Sequence, residues 1–212
     1  MNNLQNETIA YFYDDECGTL VRALFAGLDT EDKPQWVNIT PGYDPQTLNE
    51  MSRIDGYGTW LMLAMEGEKI SPRQLTKVLL SVMNNPGMGV IEKELHEVVH
   101  QLEQFGVRIA TQDILSLNVE IYRSEKFGST KGERNHFMVH TTNPDRLLGG
   151  VDEFDVLSDI ISWLKTLFDA LRAAGVSLST KLIVSNKLEK QLQEECPCYA
   201  IFFDKITITK EL

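Results

Sequence analysis

The strongest constraint on the fold is one long amphipathic segment in the second half of the chain, DEFDVLSDIISWLKTLFDALRAAG. Its apolar residues recur three and four positions apart, the spacing that places them along one face of an α-helix. They are Phe154, Leu157, Ile160, Ile161, Leu164, Leu167, Phe168 and Leu171. Gly175 follows, where a glycine commonly ends a helix. Because such a helix must pack against another layer, the segments on either side of it decide the fold class.

Segments rich in β-branched and aromatic residues lie on both sides of this helix. Before it stand VRIATQDILSLNVEIYRS and HFMVHTT, separated by the polar loop EKFGSTKGERN. After it stand VSLSTKLIVSN and YAIFFDKITITKEL. These compositions are typical of strands, so residues 107–212 are predicted to run strand–strand–helix–strand–strand.

The first half of the chain is predicted to be mostly helical. One helix is expected in CGTLVRALFAGL, whose apolar residues are spaced like a helical face: Leu20, Val21, Leu24, Phe25 and Leu28. Another begins at Asp44 or Thr47 and carries apolar residues as far as Leu63, with a break in DGYG. A third starts at Ser71 as N-cap, followed by a proline, and NNPGMG ends it. Only TIAYFYDD and WVNI are expected to be short strands.

The predicted fold class is therefore α+β, with a mostly helical half followed by a strand-rich half. We place a mainly helical region at 1–106 and an α+β region with a mixed or antiparallel sheet at 107–212. No repeat or long linker separates them, so one continuous body is the alternative.

Composition and charge narrow the function. The formal net charge is −11, and no basic cluster is longer than two residues, which argues against nucleic-acid binding by direct base readout. No apolar run approaches the roughly 20 residues of a membrane span, and no signal-peptide pattern opens the sequence. Three cysteines at irregular spacing form no disulfide framework. A cytoplasmic location without a membrane partner is the expectation.

One motif points to metal chemistry. His96, Glu97 and His100 spell H-E-x-x-H, in which two imidazoles hold zinc and the glutamate acts as base on bound water. Glu120 stands at an interval suited to a third ligand, as in the thermolysin-like peptidases that these letters resemble. A zinc-dependent hydrolase is therefore one alternative. The helix containing the motif is expected to end at Gly106.

The helical wheel weakens that alternative. The core face of this helix is predicted to consist of Ile91, Leu95, Val98, Val99 and Leu102. His96 and His100 fall roughly 100–140° from its centre, and Glu97 points further out. Glu120 sits in an alternating, strand-like segment rather than on a second helix. We therefore predict no metal ligands, no cofactor and no catalytic residues.

Four other patterns carry weaker chemical signals. Cys17 stands at an expected helix start, but the acidic residues before it disfavour a thiolate. Cys196 and Cys198 are only one residue apart, which is not a zinc or redox spacing. His136 and His140 share one strand face with a methionine between them, and FGSTKGER lacks the order of a phosphate loop.

The order of elements in residues 107–212 resembles that of tail terminator and tail-completion proteins of long-tailed bacteriophages. These are small α+β subunits that form rings at the end of a tail tube. The resemblance implies a non-enzymatic virion subunit, assembled in the host cytoplasm, whose partners are further copies of itself and other structural proteins. An acidic soluble interaction module is the remaining alternative.

Overall fold

The computed structural model describes residues 8–14, 18–54, 59–84, 92–124, 136–144, 146–149 and 154–209. Within them the chain forms eleven strands and five α-helices. It divides into two compact units, Met1–Ala110 and Thr111–Leu212. No helix in the described parts of the chain is long and apolar enough to cross a membrane.

Among its described residues, the first unit contains six strands beside three helices, so the predicted mostly helical N-terminal half is wrong. Its elements are β1 (Ile9–Asp14), β2 (Leu20–Leu28), β3 (Pro34–Asn38), α1 (Leu48–Ile54), β4 (Trp60–Met65), β5 (Lys69–Ile70), α2 (Pro72–Asn84), α3 (Glu92–Gln104) and β6 (Arg108–Ile109). The first four strands form an antiparallel sheet in the order β3-β2-β1-β4, while β5 and β6 form a short parallel pair.

Two segments predicted as helix are strands of this sheet. Along β2, residues Val21, Ala23 and Phe25 are buried while their neighbours are more exposed, which is the two-residue period of a strand. The apolar residues beside them also fit a helical spacing, and pairing with β1 and β3 on both sides selects the strand. The segment around Leu63 likewise belongs to β4, which pairs with β1.

The predicted starts of α1 and α2 and the predicted end of α3 are confirmed. The Ser71 hydroxyl accepts a hydrogen bond from the Gln74 backbone N–H, and the Gln74 side chain accepts from the Ser71 N–H, so α2 begins with a capping box. Thr47 and Glu50 form the same arrangement at α1. Gly106 follows α3 with a φ of 78°, a left-handed conformation that favours glycine.

The second unit contains one five-stranded sheet and two helices. Its elements are β7 (Leu115–Ser124), β8 (His136–Asn143), β9 (Arg146–Gly149), α4 (Leu157–Ala173), β10 (Leu178–Ser185), α5 (Asn186–Glu195), a 3₁₀ turn (Tyr199–Phe202) and β11 (Lys205–Thr209). The sheet order is β11-β10-β7-β8-β9. Strands β7, β10 and β11 are parallel, whereas β8 and β9 are antiparallel to their neighbours. The sheet is therefore mixed.

Alternation of buried and accessible residues separates the two faces of this sheet. Leu117, Val119 and Ile121 of β7 are buried, and the residues between them are accessible to solvent. The buried stripe of α4 packs against β10. The predicted strand–strand–helix–strand–strand order lacks β9 and α5. Both are short, and α5 buries only Leu188 and Leu192, so its apolar signal is weak.

Several sequence features fall outside the described residues. They include Cys17, the break at residues 55–58 and the loop at residues 125–135 with its FGSTKGER pattern. The side chain of His136 and the last three residues of the predicted final strand are outside them as well.

Candidate functional site

The H-E-x-x-H residues lie on the exposed side of α3. The side chains of His96, Glu97 and His100 are exposed, and His100 Nε2 lies 2.8 Å from the side-chain nitrogen of Gln104. The predicted core face is confirmed for Leu95, Val98, Val99 and Leu102, all of which are buried. The wheel argument therefore holds for the part of the helix whose side chains are described.

The described residues contain no cluster of metal-ligating side chains. Among the described residues, no group of three or more His, Cys, Asp or Glu side chains lies close enough together to hold a metal ion. Glu120 lies on β7, on the accessible face of the C-terminal sheet, directly opposite His140 of β8. Zinc chemistry requires converging ligands, and the part of the chain that the structure describes shows the spacing of a zinc helix without such a cluster.

The two C-terminal cysteines occupy the turn after α5. Cys196 caps that helix and Cys198 is exposed, and both are free thiols. Burial raises the pKa of the Cys196 thiol, and the charges of Glu195 and Asp159 add to the shift. A raised pKa disfavours the thiolate that a nucleophile or metal ligand needs.

The second unit contains a cleft at the carboxyl ends of the parallel strands β7, β10 and β11. These strand ends lie on the same side of the sheet because the strands run in one direction, and α5 begins there directly after β10. The cleft encloses about 620 Å³. Its lining residues are Glu120, Ile121, Tyr122, Arg123, Ile183, Val184, Ser185, Lys187, Leu188 and Thr209. That volume falls in the range of small-molecule sites.

The aromatic wall of the cleft is held by a contact between two strands. The Tyr122 hydroxyl is hydrogen-bonded to His140 Nε2 at 2.8 Å, with the rings packed edge to face. Burial raises the pKa of the Tyr122 hydroxyl, and the negative charge of Glu120 contributes to the shift. The phenol is therefore neutral at physiological pH and held in a fixed orientation.

The cationic side of the cleft contains Arg123 and Lys187. Arg123 donates a hydrogen bond to the side-chain oxygen of Gln191 on α5, and its guanidinium lies 5.7 Å from the ring centroid of Phe137. These contacts orient the guanidinium and leave further N–H donors in its planar group. Sequence reasoning missed both residues, although each lies at or just beyond a strand's carboxyl end, where ligands bind in open parallel sheets.

Strand β11 forms one edge of the sheet. Among the described strands it pairs with β10 alone. Ile208 on this edge is 52% exposed, and Ile201 in the preceding 3₁₀ turn is 76% exposed. Unpaired backbone groups beside exposed aliphatic side chains make a surface suited to pairing with another strand.

Strand β9 forms the opposite edge and has the same character. In the described part of the chain it pairs only with β8, and Phe154 continues this edge through a bridge to Phe137. Leu147 on β9 is 57% exposed, and Val156 is 44% exposed. Within the described residues, each outer strand of this sheet pairs on one side and carries an exposed aliphatic side chain.

Comparisons of this chain with protein-family models, with curated proteins and with solved structures find no match.

Proposed function

We propose that the protein is a non-enzymatic assembly subunit that joins copies of itself through the two edges of its C-terminal sheet. The observation that carries this proposal is that, among the described strands, β11 and β9 each pair on one side only, and each carries an exposed aliphatic side chain: Ile208 on β11 and Leu147 on β9. Such edges favour strand addition, because it pairs backbone groups and buries the apolar side chains together.

In the proposed contact, β11 of one copy pairs with β9 of the next, so that each copy uses both of its outer strands. A head-to-tail contact of this kind closes into a ring when the rotation between copies is suitable. The two strands are similarly short, with five residues in β11 and four in β9. The more specific form of the proposal is a ring-forming subunit of a phage tail or neck, resting on the order of elements in residues 107–212. On that form its location is the virion and its further partners are other structural proteins.

The exposed placement of the H-E-x-x-H residues supports this proposal over the hydrolase. A zinc peptidase needs its imidazoles to converge with a third ligand inside a cleft. The histidine pair on α3 faces outward instead.

The proposal is tested by measuring molecular mass in solution for the wild type and two edge variants. Ile208→Asp places a charge on β11, and Leu147→Asp places one on β9. Both positions are largely exposed, so folding, checked by circular dichroism, is expected to persist. The wild type is expected to form an oligomer whose mass is a multiple of the single chain, and each variant alone is expected to be monomeric. Ile114→Asp, at a 68% exposed position outside both edges, is the matched control and keeps the oligomer.

Mixing the two variants makes the test sharper. Each variant retains one intact edge, so a head-to-tail contact predicts a mixed dimer that cannot grow further. A contact between two β11 edges predicts instead that Leu147→Asp still assembles and Ile208→Asp does not. A wild-type chain that stays monomeric at high concentration contradicts the self-assembly proposal.

A further inference from the structure

We propose that the cleft at the carboxyl ends of β7, β10 and β11 binds a small organic anion, namely a carboxylate or phosphate carried on an apolar body. This proposal does not depend on the edge-to-edge contact of the proposed function, although Thr209 of β11 lines the cleft. The cleft lining contains both apolar and charged side chains, which suit the two parts of such a ligand.

The apolar part of the ligand is recognised by one wall of the cleft. Tyr122 and Ile183 are half-buried, and Leu188, which also lines the cleft, is buried. The hydrogen bond between Tyr122 and His140 fixes the phenol ring, so little side-chain entropy is lost when a flat or aliphatic group packs against it. Pockets for small molecules typically combine a mainly apolar lining with a few oriented polar groups.

The acidic part is recognised by Arg123 and Lys187. Both cations line the same cleft in a chain whose formal net charge is −11, so they form a local positive region on an acidic protein. The guanidinium is oriented by Gln191 and Phe137 before any ligand arrives. Ser185 already accepts a hydrogen bond from the Leu188 backbone N–H, so charged side chains, rather than that amide, supply the binding.

Glu120 is the acidic residue of the cleft lining, and replacing it distinguishes an anionic ligand from an uncharged one. Its carboxylate disfavours a bound anion through like-charge repulsion. Replacing Glu120 with glutamine should therefore tighten anion binding, whereas replacing Arg123 or Lys187 with glutamine should weaken it. The affinity for an uncharged apolar ligand would not rise with Glu120→Gln and fall with Arg123→Gln and Lys187→Gln.

The test is calorimetric or NMR titration of the full chain with benzoate and phenyl phosphate. Inorganic phosphate supplies the charge alone, and benzyl alcohol supplies the apolar body alone. Both organic anions are expected to bind more tightly than either control. Arg123→Gln and Lys187→Gln are each expected to weaken binding about tenfold, as expected for loss of a charge-assisted hydrogen bond, and Glu120→Gln to strengthen it. Lys190→Gln, on an exposed position of α5 outside the cleft lining, is the matched control and leaves affinity unchanged.

The outcomes separate cleanly. Equal weakening by Lys190→Gln and Lys187→Gln would mean that only net charge matters, and it would overturn the site. Absence of binding by both organic anions to the wild type would overturn it too. Preferential binding of phenyl phosphate or of benzoate identifies the acidic group that the cleft selects. Solution mass measured on the same variants keeps this result distinct from the assembly proposal, because cleft variants with an unchanged oligomer test anion binding alone.

Discussion

Tyr122 and His140 lie diagonally across the β7–β8 pair, with the phenol oxygen 2.8 Å from Nε2 and the ring centroids 4.9 Å apart. The antiparallel register sets Tyr122 opposite Met138 and His140 opposite Glu120. A diagonal pair on one face is close enough for aromatic side chains to meet. This contact ties the cleft wall to the neighbouring strand, on the sheet face opposite the buried one.

Removing the hydroxyl from this contact is expected to lower stability. Tyr122→Phe keeps the ring packing and loses the hydrogen bond, so the free energy of unfolding should fall by about 0.5–1.5 kcal/mol. Urea unfolding followed by circular dichroism measures the change. Tyr43→Phe, at an exposed tyrosine, is the control and should have almost no effect. Equal effects of the two substitutions would show that the Tyr122 hydrogen bond contributes nothing to stability.

The raised pKa of Tyr122 predicts a loss of stability in alkali. The unfolded chain ionises this phenol near its usual pKa of 10.0, while the folded chain ionises it only above that value, because burial and the charge of Glu120 oppose the phenolate. The stabilising contribution is therefore complete below pH 10.0 and is lost as the pH rises through the folded-state pKa. Tyr122→Phe should make the alkaline decline in unfolding free energy shallower. A decline of unchanged steepness would contradict the assignment.

Gly106 and Gly175 provide a matched pair of helix ends. Both have a left-handed φ, 78° and 79°, and both follow a helix with the same pattern of closing backbone hydrogen bonds. Alanine at either position should cost about 1–2 kcal/mol from the backbone conformation alone. A Cβ on Gly175 would also lie 3.1 Å from the Thr111 Cγ2 atom, while one on Gly106 meets no atom within 4 Å.

Gly175→Ala is therefore expected to be the more destabilising substitution of the two. Thermal and urea unfolding of both variants measure the difference. Adding Thr111→Ser to Gly175→Ala removes the close methyl group and should recover the excess loss. No recovery would show that the backbone conformation, rather than the contact with Thr111, sets the whole cost.

Asp204 positions the start of β11. Its Oδ2 accepts hydrogen bonds from the Thr180 backbone N–H at 2.7 Å and from the Thr180 hydroxyl at 3.2 Å. Thr180 is buried, so Asp204→Ala leaves a buried donor without this acceptor and should cost about 1–3 kcal/mol. Asp204→Asn keeps an acceptor oxygen and should recover part of the loss. Hydrogen exchange along β11 should accelerate in the alanine variant, and unchanged protection there would contradict this role.

Elemental analysis tests the H-E-x-x-H motif directly. Because His96 and His100 face outward on α3, purified protein is expected to contain no stoichiometric zinc, and His96→Ala should leave both metal content and fold unchanged. A zinc ion bound one per chain and lost on His96→Ala would revive the hydrolase. His136 and His140, the other two histidines of the chain, serve as controls for adventitious binding when each is replaced in the same way.

The sequence predicted individual helices and strands better than their arrangement. Capping signals at Ser71 and the stripe that includes Leu164 identified α2 and α4, because these patterns depend on residues only three or four positions apart. The cleft was not predicted. Arg123 and Lys187 are 64 residues apart in the sequence numbering and line the same cleft only because β7 and β10 pair in parallel.

The sequence alone determined the elements whose signal is local: the capped, amphipathic helices, the alternating strands β7, β8 and β10, and the outward direction of the His96–His100 pair. Tertiary structure decided the rest. The segment around Ala23 fits both a helical and a strand-like burial pattern, and only pairing with β1 and β3 makes it a strand. The physical reason is that a strand satisfies its backbone hydrogen bonds on other segments of the chain, whereas a helix satisfies them within itself.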